Sequence, residues 1–308
     1  MGRFILVRTL RALISIVVVV TVTFVVLRVT GDPVQSLLPV ETTPPEIIDL
    51  YRTRWGLDRP LLEQYARFWR GIVTGTMGFS FSDGRDALAI VAERVPKTLV
   101  LMGWTLLFTL ALGVPLGIVA ALHRGRALDR AVMALAVTGH SLPGYLLGIL
   151  LIWLFAVELR WLPSSGYGTF FHLVMPVATL TGFYGAQFAR FTRSAVLEVL
   201  GQPFVLAAHA QGWSGRAVLL RDILPNAAIP LVTTLGFFLG NLIAGSIMVE
   251  WIFAWPGIGR LLVTSVAMRD LAVVQALVLV FAVTMVLANL LVDLSYALIN
   301  PKIRVVRR

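Results

Sequence analysis

Long apolar stretches alternate with short polar connections along most of the chain. A helix needs roughly 20 residues to cross a hydrocarbon core about 30 Å thick, and six stretches approach or exceed that length. They are Leu10–Val29, Thr98–Leu122, Ala131–Val157, Leu173–Phe188, Ile229–Met248 and Ala272–Leu298. The pattern predicts an all-α membrane protein with six transmembrane helices. The first stretch follows three arginines, as a signal peptide does, but no small-residue cleavage site follows it, which favours a retained helix.

The polar residues between the first two stretches form a sizeable external segment. Trp55–Val73 predicts a turn followed by an amphipathic helix, and Gly75–Gly84 predicts a loop punctuated by glycine and serine. The predicted organisation is a first helix within residues 1–30, an external segment at 31–93, a membrane domain of helices 2–6 at 94–297, and a basic tail at 298–308.

Glycine and proline recur inside the predicted spans. Helix-breaking residues such as Pro115 and Pro143 leave backbone groups without a hydrogen bond inside the helix. In a membrane they are tolerated only where neighbouring helices or a water-filled cavity satisfy those groups. Tight bundle packing and helices that shift to open a path both fit this pattern. Three glycine pairs spaced four residues apart allow helix backbones to approach closely: Gly113 and Gly117, Gly144 and Gly148, Gly236 and Gly240.

Composition and charge agree with a membrane protein. The chain is 58% hydrophobic and 14% charged, whereas soluble domains carry about 25% charged residues. It has no cysteine, which excludes disulfides and thiolate chemistry. The side that holds both termini carries 14 of the 26 Lys and Arg residues against three acids. This asymmetry predicts cytoplasmic termini, and it accounts for the net charge of +10 without nucleic acid.

A polar block between the fourth and fifth spans, Leu206–Pro230, is longer than a simple turn needs. Pro203 suits the first turn of a short helix, and Gly212 suits a left-handed cap after it, so we expect a helix within about 203–213. Ser214 can cap a second short helix that reaches about Arg221. We expect Leu224-Pro225 to end this second helix and Pro230 to open the next span.

The first short helix is expected to present one flat face made of Phe204, Ala207, Ala208 and Gln211. Two alanines on that face allow another protein surface to come close. An interfacial helix resting on lipid headgroups is the alternative, but it favours large apolar residues together with lysines. The block contains no lysine. Docking into a partner protein is therefore the favoured interpretation.

Ala207-Ala208, Gly212 and Leu224-Pro225 resemble the EAA motif in permease subunits of bacterial ABC importers. The chain departs from that motif where Leu206 replaces its Glu and Asp222 replaces an apolar residue. Other stretches resemble the dipeptide, oligopeptide, glutathione and nickel permeases: Gly31–Pro33, Trp55–Tyr65, Arg94–Leu99, Ala189–Leu200, Gly245–Leu262, Arg269–Gln275 and Asn289–Arg304. The resemblance implies a type I importer transmembrane domain in which this loop is the coupling helix.

In that family the chain forms half of a heterodimeric pore with a homologous permease, beside two ATPases and a periplasmic binding protein. The resemblance therefore implies a subunit that is not itself an enzyme, with ATP and Mg²⁺ bound by the partner ATPases. It assigns coupling to Phe204, Ala207, Ala208, Gln211, Gly212, Leu224 and Pro225. Small peptides are the favoured solute. Nickel or a nickel chelate, which Trp161–His172 favours, and glutathione stay open as alternatives.

Other chemistry is less well supported. His140 lies within a span in a GHSLPG stretch, but Pro143 stands where a serine nucleophile elbow needs glycine. A gradient-driven transporter would need carboxylates near the membrane midplane, and the span centres contain none. No P-loop occurs, so energy must come from a partner. We predict no catalytic, cofactor or metal residues, and six candidates for the pathway or an outer gate: His140, Pro143, Asn241, Glu250, Pro256 and Gly257.

Overall fold

The computed structural model describes residues 2–29, 34 and 43–299, and most of them are helical. In this part of the chain the one extended pairing is an isolated bridge between Phe79 and Asp86. The all-α prediction is confirmed. The helices are α1 (Gly2–Val29), α2 (Pro45–Trp55), α3 (Leu61–Thr74), α4 (Ala87–Leu122), α5 (Ala127–Ser141), α6 (Gly144–Leu151), α7 (Phe171–Leu200), α8 (Pro203–Ala210), α9 (Gly215–Val218), α10 (Leu224–Ile252), α11 (Ile258–Ala267) and α12 (Leu271–Ile299). Two π-helical segments follow α6 (Ile152–Glu158) and α9 (Leu219–Ile223).

Four stretches within these helices are long and apolar enough to cross a membrane, judged by length and composition. They are Val7–Val26, Ala87–Leu122, Gly215–Gly240 and Leu271–Ala288, and the bent pair of α5 and α6 makes a fifth if it counts as one span. The 30-residue helix α7 is not among them, because residues such as Thr179, Thr181 and Gln187 lower its apolar content. The count of six spans stays a prediction.

The predicted third span, Ala131–Val157, is not one straight helix. Helix α5 ends at Ser141 and α6 begins at Gly144, and the helix axis bends by 99° between them. Leu142 has an extended backbone with ψ 126° because the ring of Pro143 disfavours helical geometry in the residue before it. The predicted third span therefore consists of two helical parts with a sharp bend between them, and Pro143 marks that corner.

The chain divides into two compact units. One contains residues 99–255 together with the described residues from 287 onward. In this unit α7 contacts α5, α6 and α10, and half of its side chains are buried. Its main core packs Met175, Tyr184 and Phe188 of α7 with Phe238 of α10 and the turn residue Phe253.

The close packing predicted at glycine is confirmed at some positions only. A Cβ atom at Gly117 of α4 would lie 2.5 Å from the Ala189 carbonyl oxygen of α7, and one at Gly148 of α6 would lie 3.2 Å from the Phe253 ring. Within this chain Gly144 and Gly240 have nothing within 4 Å of such an atom, so the prediction was wrong there.

The other unit contains residues 2–98 and 256–286. The predicted amphipathic helix is present as α3, whose Tyr65 hydroxyl lies 2.7 Å from the Thr21 hydroxyl of α1. The preceding helix α2 was not predicted. Its Trp55 ring stacks on Phe81 of the following loop, with ring centroids 3.9 Å apart. A core of small and aliphatic residues joins that loop to α4, α11 and α12, including Met77, Val91, Ile258, Ala276 and Leu277.

Candidate functional site

The predicted short helix is present as α8, between the end of α7 and the start of α9. Gln202 is extended (φ −80°, ψ 145°), and Pro203 occupies the first turn, where no backbone N–H is required. Gly212 has φ +83°, the left-handed conformation that glycine adopts without a Cβ penalty. The local signals at both ends of α8 therefore predicted its boundaries correctly.

One side of α8 is anchored in its own chain. Val205 is 3% exposed and belongs to a cluster with the end of α4, the last turns of α7 and the first turns of α10. Ala208, three residues further on, is half-buried against the same cluster. The prediction placed Ala208 on the outward docking face, and this was wrong. A two-turn helix needs an inward side, and positions three apart share it.

The opposite side of α8 is open. Phe204 is 42% exposed and Leu206 is 75% exposed, and Ala207 and Gln211 are exposed as well. Of the predicted docking residues, the structure therefore brings Phe204, Ala207 and Gln211 to the surface and adds Leu206. The sequence pattern missed Leu206 because the motif comparison treated it only as a departure.

The second half of the block differs from its prediction. Ser214 does cap α9, since its hydroxyl accepts a hydrogen bond from the Ala217 N–H at 3.3 Å. Leu224-Pro225, however, does not end a helix. The chain continues through the π-helical segment into α10, with Pro225 in its first turn and Pro230 inside it. The Asn226 side-chain amide donates to the Asp222 carbonyl at 2.6 Å and so occupies one backbone acceptor beside Pro225.

Two contacts hold the block in place. The Trp213 N–H donates to the Ala208 carbonyl at 3.2 Å, directly after Gly212. The Arg221 guanidinium lies 4.5 Å from the centre of the Trp213 ring, a favourable cation–π arrangement. Together they connect α8 to the segment that leads into α10.

An ion pair that was not predicted from the sequence holds the connection between α4 and α5 against α7. Arg193 of α7 donates from Nε and Nη2 to the two carboxylate oxygens of Asp129 in α5, at 2.7 and 2.8 Å. The Gly125 N–H donates to the same carboxylate at 2.9 Å. This bidentate geometry joins the α4–α5 connection to α7. Because 64 residues separate the partners, no spacing rule could have paired them.

The outer-gate candidates lie around the turn after α10. Glu250 in the last turn of α10 is completely buried, and Trp255 is 2% exposed. The Gly166 N–H donates to the Phe253 carbonyl at 2.9 Å, and the Tyr167 ring meets the Trp255 ring edge-to-face. Pro256 and Gly257 then separate α10 from the short helix α11, as the breakers predicted.

The other pathway candidates lie elsewhere. His140 and Pro143 are at the corner between α5 and α6, where the His140 ring stacks on Phe183 with centroids 4.8 Å apart. The Nδ1 atom of His140 is buried and has no hydrogen-bond partner among the described residues. Asn241 lies in α10, but its side chain is outside the described part of the structure.

Solved structures share this fold. An inward-facing MetNI methionine ABC transporter structure, in its CY5 native crystal form, matches with a TM-score of 0.57 at 21% identity. The match covers 68% of this chain and 96% of that chain. An amino acid ABC transporter with histidines matches with a TM-score of 0.54 at 17% identity, covering 68% and 94%. The chain therefore has the fold of the membrane-spanning chains of these ABC transporters.

The sequence comparisons establish the family. Residues 113–305 match the binding-protein-dependent transport system inner membrane component, and residues 1–102 match the N-terminal component of such proteins. The chain belongs to this family and is a multi-pass permease subunit of an ABC importer.

Curated relatives extend over nearly the whole chain. The glutathione transport system permease protein GsiC of Escherichia coli strain K12 is 42% identical over 274 residues, which is 89% of each chain. The protein of the same name from Salmonella paratyphi A is 40% identical over 305 residues, or 99% of each chain. The external segment, helices α4 to α12 and the block around α8 thus lie within one continuous similarity.

Proposed function

We propose that this subunit forms one half of a translocation pore and that the outward face of α8 docks into a separate ATPase subunit. The observation that carries the proposal is the two-sided construction of α8. Val205 fixes one side to the chain's own core, while Phe204, Leu206 and Ala207 project from the other. A short helix held firmly on one side and open on the other suits a rigid contact between two proteins.

The anchor of α8 supports a mechanical role. Its cluster joins the end of α4 (Ala121), the last turns of α7 (Val196 and Val199) and the region where α10 begins (Ile223 and Ala227). Protein cores are close-packed and transmit displacement. Movement of an ATPase against α8 therefore reaches three long helices at once, and the corner at Pro143 and the turn at Pro256-Gly257 are the proposed places where the pathway opens and closes.

We infer the other subunits of the transporter from the family and the orientation of this chain from its charge distribution. We propose a homologous second permease, two ATPase subunits that bind ATP and Mg²⁺, and a periplasmic binding protein. We infer that α8 and both termini lie in the cytoplasm, because the connections on their side are basic and positive residues concentrate on the cytoplasmic side of a membrane.

Glutathione or another small peptide is the proposed solute. The relatives named for glutathione transport cover 89–99% of this chain, and glutathione is itself a small peptide. Mass spectrometry of the companion binding protein, purified without added solute, tests this: a retained thiol peptide or other short peptide is expected. Retention of Ni²⁺ or a nickel chelate instead would contradict the proposal.

Replacing Ala207 with Arg tests the docking. Ala207 is a small, exposed residue of α8. A long cationic side chain at this position therefore blocks the close approach of an ATPase subunit without disturbing the core of this chain. We expect solute-stimulated ATP hydrolysis by the reconstituted transporter to fall to the unstimulated level while the subunit still inserts. Leu220→Arg adds the same charge to an exposed position outside α8 and serves as the control. Full stimulation in Ala207→Arg, or transport by this subunit without any ATPase, contradicts the proposal.

A further inference from the structure

The outward face of α8 carries no carboxylate. Its sequence, PFVLAAHA, contains one titratable residue, His209, and Leu206 stands where the EAA motif has Glu. Leu206 is 75% exposed, one of the most exposed large apolar side chains in the described part of the chain. A single exposed leucine is common on protein surfaces and indicates nothing by itself. The side chains around Leu206 determine whether it belongs to a docking surface.

The apolar residues on this face form a shaped ridge. Successive residues of an α-helix are about 100° apart, so Leu206 and Phe204 flank the strip formed by Ala207 and Ala210. Two large apolar side chains therefore stand on either side of two small ones, and all four are exposed. This relief fits a groove that has two apolar pockets and a narrow rib between them.

The exposed charges that follow α8 in the same block are positive. Arg216 in α9 and Arg221 in the following segment are both exposed, and neither forms an ion pair with any residue that the structure describes. The stack on Trp213 holds the Arg221 guanidinium in a defined place. Unneutralised cations in the segment that directly follows a docking helix favour a partner with acidic residues at the matching position.

We propose that the ATPase partner of this subunit receives α8 in a cleft with an apolar floor and a carboxylate-bearing rim. The floor takes Leu206 and Phe204, and the rim faces Arg216 and Arg221. The inference rests on the docking proposed above and specifies the chemistry of the docking partner.

Affinity measurements on Leu206→Glu test the floor. The assembled permease is held in nanodiscs, and separately purified ATPase subunits are titrated against it. Because Leu206 is exposed, the substitution does not disturb the core of this chain. A carboxylate facing an apolar floor must lose its water, so we expect affinity to fall by at least about tenfold, which corresponds to 1.4 kcal/mol. Leu128→Glu, at an exposed leucine of α5 outside the block, is the matched control.

The outcomes separate the two proposals. If Ala207→Arg abolishes binding and Leu206→Glu binds as well as or better than the parent chain, the apolar floor is overturned and docking stands. If neither substitution weakens binding, both proposals fail and α8 is assigned to the lipid surface. Loss of affinity in Leu206→Glu with full affinity in Leu128→Glu supports the apolar floor.

Arg216→Glu tests the rim. The parent complex is expected to weaken as salt rises, because screening reduces attraction between exposed charges. Arg216→Glu should bind several-fold more weakly at low salt and lose much of that salt dependence. Unchanged affinity and unchanged salt dependence in this variant overturn the carboxylate rim.

Discussion

Asp270 illustrates how a single polar residue organises the unit that contains residues 2–98 and 256–286. Its side chain is 1% exposed and precedes α12. One carboxylate oxygen accepts hydrogen bonds from the Ser80 hydroxyl, the Phe81 N–H and the Ser82 hydroxyl, and the other lies 3.4 Å from the Val273 N–H. A single residue thus caps a helix and holds a loop 190 residues away.

Removing that carboxylate should release the loop. Asp270→Ala leaves buried donors without an acceptor, and each such group costs roughly 1–3 kcal/mol. We expect a lower thermal unfolding midpoint and faster proteolysis between Gly78 and Asp86. Asp83→Ala, an exposed aspartate in the same loop, should change neither. Equal behaviour of the two variants would show that Asp270 does not hold the loop.

Residue-scale prediction from sequence succeeded where the signal was local. Pro203, Gly212 and Ser214 mark the ends of short helices through backbone geometry that depends on near neighbours. The Asp129–Arg193 and Asp270–Ser80 contacts were not predicted, because their partners lie far apart in the sequence. A single sequence does not distinguish exposed from buried charges. The roles of Asp129 and Asp270 in joining distant segments could therefore not be recognised.

Helices α4 and α7 pack closely at a glycine of α4. In α4 the Gly117 position faces α7 so closely that an added Cβ would lie 2.5 Å from both the Ala189 carbonyl oxygen and the Thr192 Cβ. Carbon atoms in favourable contact are about 3.5–4.0 Å apart. Gly103, on the same helix, has nothing within 4 Å of an added Cβ.

The two glycines therefore predict opposite results for the same substitution. Gly117→Ala forces α4 and α7 apart, and overpacking of this kind typically costs about 1–3 kcal/mol. Gly103→Ala should be neutral or stabilising by up to about 1 kcal/mol, because alanine favours helix more than glycine does. Thermal unfolding in detergent distinguishes them. A similar midpoint for both variants would contradict the close α4–α7 packing.

Elements were predicted better than their orientation. Hydrophobic length located α1, α4, α10 and α12, and breakers located α8. Periodicity alone could not determine that α8 turns Val205 and Ala208 inward, because alanine fits either environment. It also could not distinguish a proline that ends a helix from Pro225, which begins one after a π-helical segment.

At the scale of the whole molecule, the chain is a permease subunit of an ABC importer, and its proposed energy source is a separate ATPase. The end of α4, the last turns of α7 and the start of α10 meet at the cluster that anchors α8, so the proposed coupling has a physical path into these three helices. The same arrangement explains why the block between α7 and α10 is longer than a turn: it positions a two-turn helix with one side held and one side free.

Site-directed crosslinking from α8 tests this account most directly. The chain has no cysteine, so Ala207→Cys introduces a single thiol that can carry a short photoreactive label, and Leu128→Cys provides an exposed control in α5. In the assembled transporter in native membranes, the account predicts that the label at position 207 captures an ATPase subunit and that the label at 128 does so far less. A label at 207 that reacts fully yet captures no ATPase subunit would contradict it.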